Sequence, residues 1–292
     1  MTQQQRAYVC GLAAVLAWST VATAFKLSLA HLSPAQLLLY ASVASLLALL
    51  SILIYQGRIK EVLPAFQSHW QASLLFGAIN PFAYYLILFE AYDLLPAQEA
   101  QAINYTWALM MSLLAVPLLK QPLKRNDIWA ALFCYLGVLM IASRGDLLHF
   151  NFSNLNGLGL ALVSTFLWAS YWILNTKDTR EPVLGLTLNF AFSLPLSLLW
   201  CAIHGELVSV SWKGIAGAIY VGAFEMGFAF VLWLFAMKLT KSTARIANLI
   251  FLSPIISLFF IWFLVGETIQ RSTLLGLGFI LLGLLTQKIQ RT

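Results

Sequence analysis

Charge is scarce in this chain. Of its 292 residues, 10% are Asp, Glu, Lys or Arg and 61% are hydrophobic. A soluble globular domain carries roughly 25% charged residues to build its outer shell. That deficit excludes a soluble fold and leaves an integral membrane protein. Cysteine is scarce too. Cys10, Cys134 and Cys201 are far apart, with no CxxC pair. An odd count without paired spacing excludes a disulfide framework or a cysteine metal cluster. His31, His69, His149 and His204 fall at the ends of apolar runs, and none has a ligand partner at helical spacing. No metal or cofactor is expected. Dense basic runs with interleaved exposed aromatics are missing, so the net charge of +6 calls for no nucleic-acid partner. HExxH, a Walker A loop and paired intramembrane aspartates are also missing, which argues against an enzyme.

What the chain has instead is long apolar runs. A bilayer core about 30 Å thick takes about 20 apolar residues in a helix. Ten such spans are predicted, at 7–26, 34–56, 69–92, 97–119, 127–144, 156–176, 182–204, 214–238, 243–266 and 271–288. All must be helical, because a helix satisfies its own backbone groups in lipid. Barrel strands would alternate and be about ten residues long. With the N-terminus inside, 13 of the 17 Lys and Arg fall on cytoplasmic segments. The other side keeps Lys26, Arg144, Lys213 and Arg271. The positive-inside rule therefore puts both termini in the cytoplasm. Arg6, the following apolar run and Ala22-Thr23-Ala24 mimic a signal peptide. The internal repeat makes this segment a retained first helix.

The chain resembles itself. "AVLAWSTVATAFK" from Ala14 matches "STFLWASYWILNTK" from Ser164, which aligns Trp18 with Trp168. "FGAINPFAYYLILFEA" from Phe76 matches "VGAFEMGFAFVLWLFA" from Val221 at an offset of about 145. Asn104 to Ile141 follows Ile250 to Gln287 at an offset of 146. The expected domains are thus a five-helix repeat at 1–146 and a second at 147–292. An odd number of helices per repeat makes the second copy enter from the opposite side. That is an inverted repeat, the architecture of many secondary transporters, with a midplane site between the halves.

In the second copy, "LSPIISLFFIWFLVGETIQRSTLLGLGFILLG" resembles the signature of the drug/metabolite transporter superfamily, EamA-type. The matching features are Pro254, Gly266-Glu267, Gly276 and Gly283. The first copy departs from it, with Ala108 at the proline and Lys120-Gln121 at the Gly-Glu. Its "INYTW" resembles the aromatic amino acid exporter branch. The resemblance implies ten helices around a central cavity, and export of amino acids or related metabolites from bacteria across the inner membrane. A drug, amine or other metabolite carrier of the same superfamily is the alternative. A nucleotide-sugar carrier needs basic groups in its cavity, and no mid-span Lys or Arg is present. A channel would need polar rings repeated along a pore.

An ionisable side chain inside the membrane is a functional candidate by default. Glu225 lies mid-span in "GAFEMGF", and its repeat counterpart is Asn80. It is the candidate partner of a proton or of a substrate ammonium. Asn104 and Trp107 share a face near the middle of span 97–119, while Tyr105 and Thr106 turn elsewhere. Asn80 with Tyr84, Trp168 with Tyr171, Trp18 and Asn248 complete the candidate cavity lining. Pro81 and Pro254 each remove a backbone donor and are candidate hinges. Glu90 and Glu99 are expected to reach interfacial water, and Glu267 to cap or pin a turn with Arg271. Trp70, Trp129 and Trp212 fit an interfacial belt. Gly276, Gly278 and Gly283 allow close helix packing. The expected partners are lipid and a small-molecule substrate, with the protein acting as a monomer.

Overall fold

The computed structural model describes residues 1–120, 125–146, 154–175, 178–240, 246 and 249–288. Among the described residues every regular element is helical. In chain order these are α1 (Gln3–Ser19), α2 (Val21–Leu29), α3 (Pro34–Tyr55), α4 (Val62–Gly77), α5 (Tyr84–Leu94), α6 (Ala97–Asn104) and α7 (Trp107–Leu119). Then follow α8 (Arg125–Ala142), α9 (Leu155–Asn175), α10 (Pro182–Ile203), α11 (Trp212–Tyr220), α12 (Ala229–Leu239), α13 (Leu252–Phe260) and α14 (Arg271–Lys288). Three wider π-helical stretches interrupt them, at Ala78–Ala83, Val221–Phe228 and Ile261–Val265.

Six of these helical stretches are long and apolar enough to cross a bilayer: Gln3–Leu29, Pro34–Tyr55, Ile59–Leu94, Leu155–Asn175, Pro182–Ile203 and Trp212–Trp233. Ile128–Ala142, Leu252–Val265 and Arg271–Thr286 are shorter apolar helices. The protein is therefore an all-α, multi-pass membrane protein. Span 97–119 differs from its expectation. It breaks between α6 and α7, at Tyr105 and Thr106. The Thr106 hydroxyl donates to the Ile103 carbonyl at 2.8 Å, and its N–H bonds the same carbonyl at 3.0 Å. A threonine that binds its own preceding turn competes with the helix ladder. Thr20 does the same to Ala17, and separates α1 from α2.

Two compact units are present: Met1–Phe89 with Thr179–Phe260, and Glu90–Asp178 with Ile261–Thr292. Each draws on both halves of the sequence. In the first, α3 packs on α10 and on Val221–Phe228, α1 on α12, and α4 on α10. Helices α3 and α10 are built alike. Each has 22 residues, starts on a proline (Pro34, Pro182) and ends before a glycine at φ 70°, Gly57 and Gly205. One constant offset therefore relates the two helices from first residue to terminal glycine. Proline suits a helix start because the missing N–H is one of the unpaired donors there. Only glycine adopts the left-handed stop without penalty.

In the second unit α8 and α14 make the broadest contact. Asn126 bonds the Thr286 carbonyl, Cys134 the Ile280 carbonyl, and Ile141 meets Gly276. Rising numbers on one helix meet falling numbers on the other, so the pair is antiparallel. A Cβ on Gly137 would meet the Gly276 carbonyl and Ile280, and one on Gly283 would meet Ala130 and Cys134. In the repeat alignment Gly137 corresponds to Gly283, Ala130 to Gly276 and Cys134 to Ile280. The two sets are thus one contact made twice. Phe133 stacks on its own repeat counterpart, Phe279, with ring centroids 6.4 Å apart. Gly278, expected to pack like its neighbours, faces open space.

Candidate functional site

In the first unit Glu225 lies inside the stretch Val221–Phe228. The Tyr85 hydroxyl donates to its Oε1 at 3.3 Å, while Oε2 is buried without a hydrogen-bond partner among the described residues. Tyr85 is 1% exposed and packs edge-on to Tyr84, with centroids 4.7 Å apart. It also leans on Phe89, which meets Phe25. Asn80 is likewise buried, and its Oδ1 has no partner among the described residues. It lies in Ala78–Ala83 with extended angles (φ −143°, ψ 117°), joined to Pro81 by a cis peptide. Helical spacing does not carry across Asn80, so it does not share a helix face with Tyr84 as expected. Asn80 and Glu225 nevertheless both occupy π stretches, about 145 residues apart, the offset at which the sequence resembles itself. Such stretches are frequent at functional sites. A buried acceptor without a partner costs about 1–3 kcal/mol. A proton or a cationic donor on Glu225 would remove that cost.

In the second unit Asn104 ends α6, and Trp107 begins α7. Both meet α9. Asn104 Nδ2 donates to Ser164 Oγ at 3.0 Å, and Trp107 packs edge-on to Trp168 at 6.4 Å. Trp168 stacks on Tyr171 at 5.9 Å and meets Trp172 edge-on at 5.8 Å. The structure thus brings together Asn104, Trp107, Trp168 and Tyr171. It adds Trp172, whose indole Nε1 is buried and without a partner among the described residues. Trp172 follows Tyr171 in a stretch already rich in aromatics, which was the available signal.

Other expectations are corrected. Trp18 packs on Phe230 and Trp233 of its own unit, at 5.8 and 5.3 Å. Pro254 is the third residue of α13, directly after the tight turn Leu249–Phe251. The helix changes from a 3-10 to an α turn just before this proline. Asn248 lies outside the described residues. Glu99 does not reach water: its side chain is 2% exposed and pairs with Arg144 at 3.2 Å. Glu267 caps not its own turn but α6, accepting the N–H groups of Ala97 at 2.8 Å and Gln98 at 3.3 Å. Those donors have no partner inside their own helix. Gly266 ends its helix at φ 80°, and its repeat counterpart Lys120 takes the same left-handed turn at φ 53°. The expected Gly-Glu difference between the repeats is therefore one of residue type and not of backbone at that position.

By sequence Arg180 is one inside charge among many. The structure aims its guanidinium at Ser73 Oγ (2.7 Å) and Asn189 Oδ1 (3.1 Å), and over the Phe76 ring at 5.0 Å. Beside it, Glu181 caps α10 through Leu184 N and pairs with Arg58 at 3.3 Å. Arg58 also forks onto Glu61, and that hydrogen bond foremost holds its guanidinium above the ordinary range.

These features define a multi-pass helical membrane protein with polar groups set into apolar helices. Residues 5–143 and 155–286 match the EamA-like transporter family. The chain belongs to that family: it is a membrane transporter, not an enzyme. An uncharacterized transporter of Archaeoglobus fulgidus is 24% identical over 198 residues, covering 66% of this chain and 67% of that protein. A protein known by crystal structure has the same fold, with a TM-score of 0.66 and 20% identity over 97% of this chain and 98% of that one.

Proposed function

We propose that the protein is a secondary active carrier that moves small amphipathic ammonium compounds, amines and amino acids among them, by alternating access. The observation that carries this is Glu225. A carboxylate set in a π stretch, bonded by Tyr85 and with its second oxygen buried and unpartnered among the described residues, suits an ammonium group or a coupling proton. Asn80 contributes a second acceptor in the same unit. Taken by itself, the second unit offers a ring cluster, Trp107, Trp168 and Tyr171, whose aromatic faces suit an apolar ring. The aromatic amino acid reading rests on this cluster and on "INYTW".

Ten spans in two inverted repeats, 1–146 and 147–292, are the architecture we propose for it. The antiparallel α8–α14 pair, with its contacts matched between repeat counterparts, supports the inversion. The surplus of basic residues on one side supports cytoplasmic termini in a bacterial inner membrane. Counterflow in proteoliposomes tests the function, with radiolabelled phenethylamine, phenylalanine and glucose as probes. Saturable counterflow of the two ammonium compounds, but not of glucose, is expected. Equal uptake of glucose, or uptake that rises linearly without saturation, would overturn the reading.

A further inference from the structure

The long helical stretch Ile59–Leu94 is interrupted twice, at His69 (φ −122°, ψ 20°) and at Asn80. Residues 70–79 between the two interruptions are held from one side by Arg180. Two of its side-chain acceptors, Ser73 and Asn189, are almost fully buried. Ser73 passes the link on by donating to the His69 carbonyl at 2.9 Å, at the kink itself. One turn before Asn80, the backbone carbonyl of Asn189 stands where a Cβ of Gly77 would be. The Arg180 fork therefore ties α10 to the segment that delivers Asn80 to its place.

We propose that Arg180 is a positioning residue for transport: it clasps residues 70–79 to the first turns of α10, and thereby fixes the Asn80 side chain. Two hydrogen bonds in a fixed planar fork set both distance and angle, which a lysine ammonium does not do. The guanidinium over the Phe76 ring adds a third anchor, a cation held against an aromatic face. The proposal rests on Asn80 lining the substrate site, as read above, but the clasp itself is measurable without any substrate.

Amide exchange on the purified protein tests the clasp. In Arg180→Gln, residues 70–79 and 182–189 are expected to exchange about tenfold faster, with α3 unchanged, because local opening is read region by region. Unchanged exchange, or acceleration spread evenly over the unit, overturns it. Ser73→Ala keeps the arginine and removes one acceptor. Acceleration confined to 70–79 is expected there, and its absence overturns the clasp even if Arg180→Gln fails to fold. The positioning role is read by phenethylamine counterflow. Arg180→Gln is expected to raise KM about fivefold with maximal rate within about twofold. On an Asn80→Ala background the same change is expected to add nothing. Additive KM effects overturn action through Asn80. If Asn80→Ala alone leaves transport untouched, the lining role of Asn80 falls, and the exchange pattern alone decides the clasp.

Discussion

Glu225 combines a hydroxyl partner on one oxygen with a second oxygen that is buried and unpartnered among the described residues. Gln in its place keeps the shape and can still accept from Tyr85, but it holds no charge and takes no proton. Glu225→Gln is expected to weaken phenethylamine binding about tenfold or more, roughly 1.4 kcal/mol. It is also expected to flatten the pH dependence of counterflow. A proton on the carboxylate competes with the ammonium, so wild-type flux should rise with pH and the variant's should not. Counterflow across a pH series checks this, and an unaltered pH profile would remove Glu225 from the coupling step. At this scale Glu225 was legible as a candidate, because an isolated charge in an apolar run is visible in the letters alone. The approach of Asn104 and Trp107 to α9 was not, because the helix is interrupted between them at Tyr105 and Thr106. Arg180 was not legible. It sits in a connector, and only the fold shows that its side chain turns in toward Ser73 and Asn189. Glu99 misleads for a related reason, since its partner Arg144 is 45 residues away.

The elements carry interruptions that hydropathy cannot reveal. An apolar run looks the same whether the helix continues, widens into a π turn or breaks. The break in "INYTW" depends on the Thr106 hydroxyl choosing the Ile103 carbonyl, a local contest that leaves no mark on the apolar pattern. Glycines are clearer, although position decides what they do. Gly276 and Gly278 lie close together on α14. A Cβ on Gly276 would come within 2.6 Å of the Gly137 carbonyl and 2.5 Å of Ile141, while one on Gly278 meets nothing within 4 Å. Gly276→Ala forces backbone apart in the broadest helix contact of its unit. Overpacking of this kind costs about 1–3 kcal/mol. Gly278→Ala gains helix propensity, up to about 1 kcal/mol. Opposite shifts of the thermal midpoint in detergent are expected from two identical substitutions. Equal shifts would mean that α8 and α14 are not in close contact.

At the scale of the whole chain, the letters suggest a duplication, from Trp18 and Trp168 and from "FGAIN" against "VGAFE". The structure sharpens it with features the letters hide. The α3 and α10 helices match in length, starting proline and terminal glycine. The contacts of α8 with α14 exchange when each residue is replaced by its repeat counterpart. A two-fold relation of this sort makes a contact self-complementary, with each side using the same positions. If the repeats are inverted, equivalent residues face opposite sides of the membrane. Lys60 follows α3 and His204 follows α10, and both are exposed. In a background with Cys10, Cys134 and Cys201 replaced by serine, an impermeant maleimide added to intact cells is expected to label His204→Cys. Lys60→Cys is expected to react only after the membrane is opened. Labelling of both from one side would overturn the inverted repeat, and with it the orientation read from the basic residues, because a parallel duplication places both connectors on the same face.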